Sequence, residues 1–438
     1  MKYAVVTFGC RVNQADSLGF EEELLAAGAV NASPQDADLV VVNSCSVTAT
    51  ADQGTRQTIR RIARDNPRAR IVVTGCYATR RPDEVGALPN VECVVLNDDK
   101  PRLVQILREK TGENAKHGGG VFSALFASSA VVPEGDGPCG APIEPGVAGR
   151  TAFTLRVQTG CAEPCSYCII PTTRGAPRSV GLGAILREVE RVTAAGFKEI
   201  ALTGVHLGSY GRDLEPRSSL IDLLRALDRR GAKAAAERVL FRISSLEPMD
   251  CSREIVDLVA SSDRFAPHFH LPLQHASNRV LAGMRRPYTI EYFASLVDDI
   301  RTQMPDASIG SDIIVGFPGE TGGDFEELAS YLERSPLTHI HAFPYSDRPG
   351  TPASAMAGKV DGVVVRERGR RIRDIGRMLT ERFRDSQLGT IHNALTLEDG
   401  SRAVTGNYLK VRIPPGHRRN EWVRLRLTSQ DDGELLGG

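Results

Sequence analysis

Apolar and polar positions alternate along the first hundred residues in a rhythm that predicts strands and helices in turn. Short apolar runs typical of buried strands lie at 3–8, 39–43, 71–74 and 91–96. Apolar residues recur at helical spacing over about 14–27, 51–65 and 102–111. Strands that alternate with helices are typical of a parallel sheet, because each crossover helix packs on a face of the sheet. We therefore predict a doubly wound α/β domain over residues 1–115.

The alternation resumes at residue 150 and continues to about residue 375. Six apolar runs predict strands at 154–157, 199–203, 239–243, 268–271, 308–315 and 339–343. Helical patterns lie between them at 183–195, 220–230, 252–260, 290–303 and 324–333. Six parallel strands joined by right-handed crossovers curl into a partial barrel with the helices outside. The pattern predicts a partial (β/α)6 barrel over residues 150–375.

The remaining segments have other patterns. Residues 116–149 are rich in Gly, Pro, Ser and Ala, which is typical of a linker.

A long helical pattern over about 363–387 carries interleaved Arg and acidic residues, which fits a solvated helix face as well as an RNA-facing ridge. Short strand patterns at 394–397, 403–405, 408–413 and 421–427 predict a small β-barrel within residues 376–438.

This last segment is basic and carries two aromatic residues, Tyr408 and Trp422. Basic and aromatic side chains together suit phosphate contacts and base stacking, so we predict an RNA-binding role. Its basic residues are Arg402, Lys410, Arg412, Arg418, Arg419, Arg424 and Arg426.

The overall charge narrows the class of partner. The 438 residues include 54 Lys and Arg against 54 Asp and Glu, so the chain is no polycation and any RNA contact must come from local basic patches. No apolar run reaches the ~18 residues of a membrane helix, and the chain begins with a strand pattern rather than a signal peptide. We expect a cytoplasmic protein with no membrane partner.

Nine cysteines, an odd number at long spacings, favour thiolate chemistry over a disulfide framework. Cys161, Cys165 and Cys168 lie in one C-x3-C-x2-C loop after the first strand of the predicted barrel. Iron–sulfur clusters are normally held by four thiolates, so three would leave one iron of a [4Fe–4S] cube open to a substrate. A zinc knuckle is the alternative, but zinc sites usually add a second Cys or His pair and no His lies in this loop.

Three more cysteines fall just past strands of the amino-terminal domain. Cys10, Cys45 and Cys76 each follow the carboxyl end of a different predicted strand. Ligands of open α/β sheets bind at those ends, so the three thiols are expected to converge on one site. Three separately buried thiols are the alternative, and that is our interpretation of the others, Cys93, Cys139 and Cys251.

The cysteine motifs carry a family resemblance. GCAEPCSYCIIPTTRG resembles the cluster-binding block of radical S-adenosylmethionine methylthiotransferases. TFGCRVNQADS, VVNSCSVTA and VTGCYA are similar to three blocks of that family's amino-terminal domain, except that Ser46 replaces an expected Thr. The resemblance implies one [4Fe–4S] cluster on Cys161, Cys165 and Cys168 that cleaves S-adenosylmethionine, and an auxiliary [4Fe–4S] cluster on Cys10, Cys45 and Cys76.

Blocks later in the chain resemble the same family and one of its branches. LTGVHLGSYGRD, with the G-x-P-R-S continuation after Arg174, resembles the branch that acts on threonylcarbamoyladenosine beside the tRNA anticodon. The implied reaction replaces the C2 hydrogen of that adenosine with a methylthio group. The implied partners are tRNA and an electron donor protein, with no stable protein partner.

Polar residues and glycines at the carboxyl ends of barrel strands are candidates for binding S-adenosylmethionine, because reacting groups gather at those ends. Each is a weak candidate alone, and a single His is more often structural. The candidates are Tyr167, Thr203, Gly204, His206, Ser244, Gln274 and Gly316.

Other functions remain open from the sequence. Within the family, the substrate could be isopentenyladenosine in tRNA or an aspartate of a ribosomal protein. A B12-dependent radical methyltransferase would leave the three amino-terminal cysteines without a role. A zinc-containing RNA-binding protein is the alternative that is not an enzyme.

Overall fold

The computed structural model describes residues 1–114, 151–231, 238–431 and 433–438. The predicted linker at 116–149 and Cys139 lie outside these residues. The described residues form two compact units. The first unit contains residues 1–114 together with Thr159–Ala162 and Cys168–Ala176, and the second contains the rest. The predicted division into three domains and a linker stays a prediction.

The first unit is built on a parallel sheet in the order β2-β1-β3-β4-β5. Its strands are β1 (Lys2–Thr7), β2 (Val30–Asn31), β3 (Leu39–Ser44), β4 (Arg70–Gly75) and β5 (Val91–Val95). Its helices are α1 (Arg11–Ala26), α2 (Ala49–Asp65), α3 (Cys76–Arg80), α4 (Pro82–Gly86), α5 (Leu103–Asn114) and α6 (Ile170–Arg174). All six residues of β3 are buried, because the strand lies in the middle of the sheet.

Helices cover both faces of this sheet and bury two apolar clusters. Phe20 and Leu24 of α1 pack with Leu103 of α5 on one face. Ile59 and Ile62 of α2 pack on the other. Two covered faces define a doubly wound α/β domain, which confirms the predicted fold class.

The second unit contains two parallel three-stranded sheets, β6-β9-β10 and β11-β12-β13. Isolated parallel bridges from Ser245 to His270 and from Phe241 to Phe265 connect the segments around β10 and β11. The long strands are β6 (Phe153–Arg156), β9 (Glu199–Thr203), β10 (Leu240–Ile243), β11 (His268–His270), β12 (Ser308–Val315) and β13 (His339–Pro344), and two short strands, β7 (Gln158–Thr159) and β8 (Arg178–Ser179), flank the cysteine loop in sequence. The six long strands are parallel and follow one another in chain order across the two sheets, as predicted for a partial barrel.

The described residues of the second unit contain seven α-helices, and the sequence predicts all but one of them. They are α7 (Leu182–Ala194), α8 (Leu220–Gly231), α9 (Arg253–Ser261), α10 (Asn278–Gly283), α11 (Ile290–Gln303), α12 (Gly322–Arg334) and α13 (Gly362–Ser386). Thr321 caps α12 through a capping box with Asp324, which satisfies backbone donors at the start of that helix. The short α10 was not predicted.

The arginines of α13 are used partly within the protein. Arg368 donates to the buried carboxylate of Glu320, and Arg371 pairs with Glu326 at 2.7 Å. Arg382 donates to the carbonyl of Ser335. These contacts favour a packed, ion-paired helix face over an RNA-facing ridge for these three residues.

Five strands at the end of the chain close into a barrel in the order β14-β15-β16-β18-β17. They are β14 (Ile391–Leu397), β15 (Arg402–Thr405), β16 (Lys410–Arg412), β17 (Trp422–Asp431) and β18 (Glu434–Gly437). Phe383 of α13 packs into the core of this barrel. The small β-barrel was predicted, but β18 was not.

A buried ion pair ties this barrel to β10. Arg242 is fully buried, pairs with Glu199 at 2.9 Å and donates from Nη1 to the carbonyl of Gly406 at 2.9 Å. The ring of Tyr408 lies 4.7 Å from its guanidinium carbon. Trp422 Nε1 donates to the carbonyl of Arg238. Both aromatic residues predicted to stack on RNA bases therefore contact arginines of this same unit.

Among the described residues, no helix is both long enough and apolar enough to cross a membrane.

Candidate active site

Cys10, Cys45 and Cys76 lie at one edge of the first sheet. Cys45 directly follows β3, Cys76 directly follows β4, and Cys10 follows β1 after Phe8 and Gly9. Because β1, β3 and β4 are adjacent and parallel, their carboxyl ends share that edge. The structure thus brings together the three thiols that the sequence placed after separate strands.

The backbone around these thiols is tightly packed. Gly9 has a φ of +85°, and a Cβ there would lie 2.6 Å from Cys45 Sγ. Burial raises the pKa of the Cys45 thiol to about 11, and the nearby Cys76 and Cys10 add to that shift. The adjacent strand ends and the close approach of Gly9 to Cys45 place the three thiols at one site.

Asn13 of α1 fixes the ends of two of these strands. Its side-chain nitrogen donates to the carbonyl of Phe8 at 2.8 Å and to that of Ser44 at 2.9 Å. In return, Asn43 donates to the carbonyl of Asn13 at 2.8 Å. These bonds hold the backbone directly before Cys45 and close to Cys10.

Two buried cations lie beside the three thiols. Lys100 and Arg174 are 4% and 3% exposed, and both contact the carboxylate of Asp16, at 2.7 and 3.5 Å. Burial alone would lower the pKa of Arg174, but Cys76, Asp16 and Cys10 raise it overall. Burial, opposed by Asp16 and reinforced by Arg174, lowers the pKa of Lys100.

This environment fits an anionic thiolate cluster. Buried charges need compensation, and thiolates can supply negative charge to balance Arg174 and Lys100. Asn97 donates to the carbonyl of Thr173 at 2.7 Å, and its side-chain nitrogen lies 3.8 Å from Cys76 Sγ. Soft thiolate donors near buried positive charge suit iron–sulfur or zinc chemistry, so the donor set is compatible with the predicted auxiliary cluster.

The C-x3-C-x2-C loop is divided between the two units. Cys161 and Cys168 belong to the first unit and Cys165 to the second, and all three are partly exposed. The amide of Cys161 donates to the carbonyl of Gly175 at 3.0 Å. Gly160 has a φ of +76°, and a Cβ there would lie 1.9 Å from the carbonyl oxygen of Ala176. The loop backbone therefore requires glycine at this position.

Arg286 donates a hydrogen bond to Cys165 in the second unit. This arginine is 7% exposed and donates from Nη1 to Cys165 Sγ at 3.2 Å. Its other nitrogens contact the carboxylate of Glu247 and, at 3.0 Å, the hydroxyl of Tyr288. Burial would lower the pKa of Arg286, but Glu247 and the neighbouring tyrosines raise it overall. A charged donor favours the thiolate form of Cys165, as a cluster ligand needs.

The candidates after β9 are held by other protein groups. His206 is buried, and its Nε2 lies 2.8 Å from a carboxylate oxygen of Asp250. Its amide donates to Gln158 Oε1 at 2.9 Å. A Cβ on Gly204 would lie 2.9 Å from that same oxygen. The carbonyl of the buried Thr203 accepts from Val157. His206 thus has the satisfied contacts of a structural histidine.

The candidates after β10, β11 and β12 differ from one another. Ser244 Oγ is buried and has no hydrogen-bond partner within the described residues. Gln274 has a φ of +67°, and its amide donates to the carbonyl of Asp312. Gly316 has a φ of +79° and donates to Glu320 Oε2 at 2.6 Å.

Tyr167 packs with Val280, Met284 and Phe317. Its ring is therefore part of a small apolar cluster beside the cysteine loop. Of the seven candidates, only Ser244 presents a buried polar side-chain atom without a protein partner in the part of the chain that is described.

Two family models match separate parts of this chain. Residues 2–96 match an uncharacterized protein family, UPF0004, and residues 155–332 match the Radical SAM superfamily. The chain is 36% identical over 421 residues to the threonylcarbamoyladenosine tRNA methylthiotransferase MtaB of Aquifex aeolicus, covering 94% of this chain and 96% of that protein.

The chain belongs to the radical S-adenosylmethionine methylthiotransferases.

The methylthiotransferase is similar to a second branch as well. It is 33% identical to the tRNA-2-methylthio-N(6)-dimethylallyladenosine synthase of Corynebacterium glutamicum, covering 100% of this chain and 81% of that protein. The relatives support a tRNA methylthiotransferase of radical type, with one [4Fe–4S] cluster and S-adenosylmethionine as cofactors.

A solved structure supports the fold. The radical S-adenosylmethionine methyltransferase TsrM from Kitasatospora setae, with cobalamin and a [4Fe–4S] cluster bound, has a TM-score of 0.56 and 16% identity. The match covers 81% of this chain and 74% of the TsrM chain. At this identity the likeness concerns the fold alone.

Four charged residues beside the cysteine triplets are not among the site residues predicted from the sequence: Asp16, Lys100, Arg174 and Arg286. Asp16 and Arg174 lie within the quoted family blocks but have no predicted role there. The local sequence gives no signal for Lys100 or Arg286, because each directly follows another charged residue, as many exposed residues do. Their burial depends on the fold.

Proposed function

We propose that this methylthiotransferase places a methylthio group on C2 of N6-threonylcarbamoyladenosine next to the anticodon of tRNA, using a second [4Fe–4S] cluster held by Cys10, Cys45 and Cys76. The observation that carries the proposal is the convergence of these three thiols beside two buried cations. A second cluster would give these three thiols, which are separate in sequence from the C-x3-C-x2-C loop, a function of their own.

When bound, the two clusters and S-adenosylmethionine supply radical cleavage of an unactivated C–H bond and the sulfur and methyl group that replace the hydrogen. The chain's residues supply placement and charge. Arg286 donates to Cys165 Sγ and is held by Glu247, which fixes the direction of the donor. Arg174 and Lys100, which both contact Asp16, would also balance thiolate charge in the first unit.

Other residues prepare space and contacts for the cofactor. The unpartnered hydroxyl of Ser244 can accept or donate one hydrogen bond to a polar ligand group. Gly316 leaves the backbone bare directly after β12, which allows close approach to a ligand. The electron donor is proposed to be a separate protein, because the reductive cleavage requires an electron from outside the chain.

Support for threonylcarbamoyladenosine comes from two sources. The relative from Aquifex aeolicus bears that substrate in its name. The LTGVHLGSYGRD block lies at the end of β9, where its His206 is fixed by Asp250 and its Asp213 accepts from Ser179 Oγ at 2.6 Å. Dimethylallyladenosine is the second candidate, because the relative from Corynebacterium glutamicum is named for it.

Nucleoside analysis tests the proposal. We expect tRNA from cells that lack the gene to contain unmodified threonylcarbamoyladenosine and none of its methylthio derivative, as measured by liquid chromatography and mass spectrometry. Complementation with the wild-type gene restores the derivative, and complementation with Cys45→Ala does not. Loss of the methylthio derivative of dimethylallyladenosine instead would assign the enzyme to the second branch.

A further inference from the structure

A group of histidines and one carboxylate covers three neighbouring strands of the second unit. Alternate residues of a strand face the same side, so His270 of β11, Asp312 of β12 and His341 of β13 can share one face. The register agrees, since Asp312 lies opposite His341 and Gly310 opposite His270. None of these three residues has a role in the site described above.

The ligand atoms of this trio are close together. His270 Nε2 lies 3.2 Å from Asp312 Oδ1, and His341 Nδ1 lies 3.1 Å from the same oxygen. All three ligand atoms lie within 4.8 Å of one another. In a tetrahedral zinc site with bonds of about 2.0–2.1 Å, neighbouring ligand atoms are about 3.3 Å apart. The two distances to Asp312, 3.2 and 3.1 Å, are therefore close to that spacing.

His270 has the contacts expected of a metal-binding histidine. Its Nε2 is buried and faces Asp312 Oδ1 at 3.2 Å. Its other nitrogen, Nδ1, is 3.2 Å from the hydroxyl of Ser245. A ring with one nitrogen held by an outer partner and the other facing a second ligand is the usual arrangement of a metal-binding histidine.

Strand β12 lies between the histidines of β11 and those of β13 and leaves room for the rings of the latter. A Cβ on Gly310 would lie 2.1 Å from Nε2 of His339, so only glycine permits this ring position. The rings of His339 and His341 are 5.8 Å apart, and those of His270 and His341 are 5.6 Å apart. The side chains of Asp312 and His341 are 27% and 57% exposed, which gives an ion a route from solvent.

We propose that His270, Asp312 and His341 bind one divalent transition-metal ion of the zinc class, separate from the iron–sulfur clusters. Two imidazoles and one carboxylate are three protein ligands, which leaves a fourth position for water or another oxygen ligand. Neutral imidazole and carboxylate favour zinc-like ions over calcium or magnesium, which take only oxygen ligands. The site goes beyond the proposed function, because methylthio transfer does not require it.

Metal analysis of the intact enzyme tests the site. The full-length protein, with its clusters reconstituted without oxygen, is incubated with zinc sulfate, desalted, and measured for zinc and iron by mass spectrometry. We expect about one retained zinc per chain in the wild type and at least about a tenfold loss in His270→Ala, Asp312→Ala and His341→Ala. Iron content stays at the wild-type level in each variant. His417→Ala, which removes a histidine of the β-barrel, is the matched control and keeps its zinc.

A graded variant sharpens the result. Ser245→Ala removes the outer partner of His270 but no ligand, so the zinc affinity measured against a chelator falls by about 10–100-fold. A wild-type enzyme that retains no zinc overturns the proposal. Zinc that persists in all three ligand variants is bound elsewhere, for example by thiolates, and overturns it as well. If His270→Ala loses iron through misfolding, the exposed His341→Ala variant decides. Zinc retention does not depend on methylthiolation, so failure of one proposal leaves the other standing.

Discussion

Cys10, Cys45 and Cys76 come from three strands of one sheet, whereas Cys161, Cys165 and Cys168 lie in a single loop. Cys45 and Cys76 are buried, and only Cys10 of that triplet is exposed, whereas all three loop cysteines are partly exposed. The first triplet exists only when the sheet has formed, because its members are far apart in sequence. The second triplet is defined by the C-x3-C-x2-C spacing of its loop, and residues distant in sequence supply the charges around it.

The positive charge beside each triplet is also supplied differently. Two cations, Arg174 and Lys100, share one carboxylate in the first unit. In the second unit a single arginine, Arg286, donates directly to Cys165 Sγ and is held by Glu247. We infer that the first site depends on a buried charge network and the second on one directed hydrogen bond.

The largest effect is expected from the thiols themselves. Cys45→Ala should abolish methylthiolation of tRNA and reduce iron from about eight to about four atoms per chain, because the proposed auxiliary cluster loses a ligand. Nucleoside analysis and iron analysis of reconstituted protein measure both. Cys93→Ala, which changes a buried cysteine of the sheet core, should keep both values. A fully active Cys45→Ala enzyme would contradict the auxiliary site.

Removing one buried cation tests the charge network. Arg174→Met should lower the free energy of unfolding by about 3 kcal/mol, because it breaks a buried ionic network. Iron retained by the reconstituted protein should fall with it. Urea denaturation followed by circular dichroism measures the stability. The control Arg60→Gln changes an exposed arginine of α2 and should stay within about 0.5 kcal/mol. Equal stability of both variants would show that Arg174 balances no buried charge.

The directed hydrogen bond is tested at Arg286. Arg286→Met should lower the turnover of S-adenosylmethionine by about 10–100-fold, as removal of an outer partner of a metal ligand usually does. Arg286→Lys should recover part of the rate, because it restores the charge but not the forked geometry. Iron content should match the wild type in both variants. A wild-type rate in Arg286→Met would remove this contrast between the two sites.

The smallest effect is expected at Ser244. Ser244→Ala should raise the KM for S-adenosylmethionine about fivefold, which corresponds to one neutral hydrogen bond of about 1 kcal/mol. Its kcat should change little, and its stability should not fall, because the hydroxyl has no partner in the described protein. Ser261→Ala at the end of α9 is the matched control. An unchanged KM would exclude Ser244 from cofactor binding.

The sequence predicts most of the fold because long apolar runs define their own boundaries. The bounds of β9 and β12 agree with the predicted ones, since each is a buried run between polar turns. The strands β2 and β18 and the helices α3 and α4 were missed, because segments of two to five residues have no measurable period. Short elements are fixed by tertiary contacts rather than by local pattern.

The site was predictable where one rare residue type carries the chemistry. Nine cysteines in 438 residues are few enough for their placement to be informative, whereas 54 Lys and Arg are too many. Arg286 is 121 residues from Cys165, and no local spacing connects them. The histidine pairs at 268 and 270 and at 339 and 341 have strand spacing. Their convergence with Asp312 depends on the order of three strands.

Through Arg242, the carboxyl-terminal β-barrel supports the packing of the second unit, in addition to its predicted role in RNA binding. Its guanidinium is buried between Glu199 and the carbonyl of Gly406. A chain that stopped at residue 389 would leave this arginine short of a partner and uncover the face where Tyr408 packs. Deleting the segment would therefore damage the catalytic unit itself, so loss of activity after truncation could not be attributed to weaker tRNA binding alone.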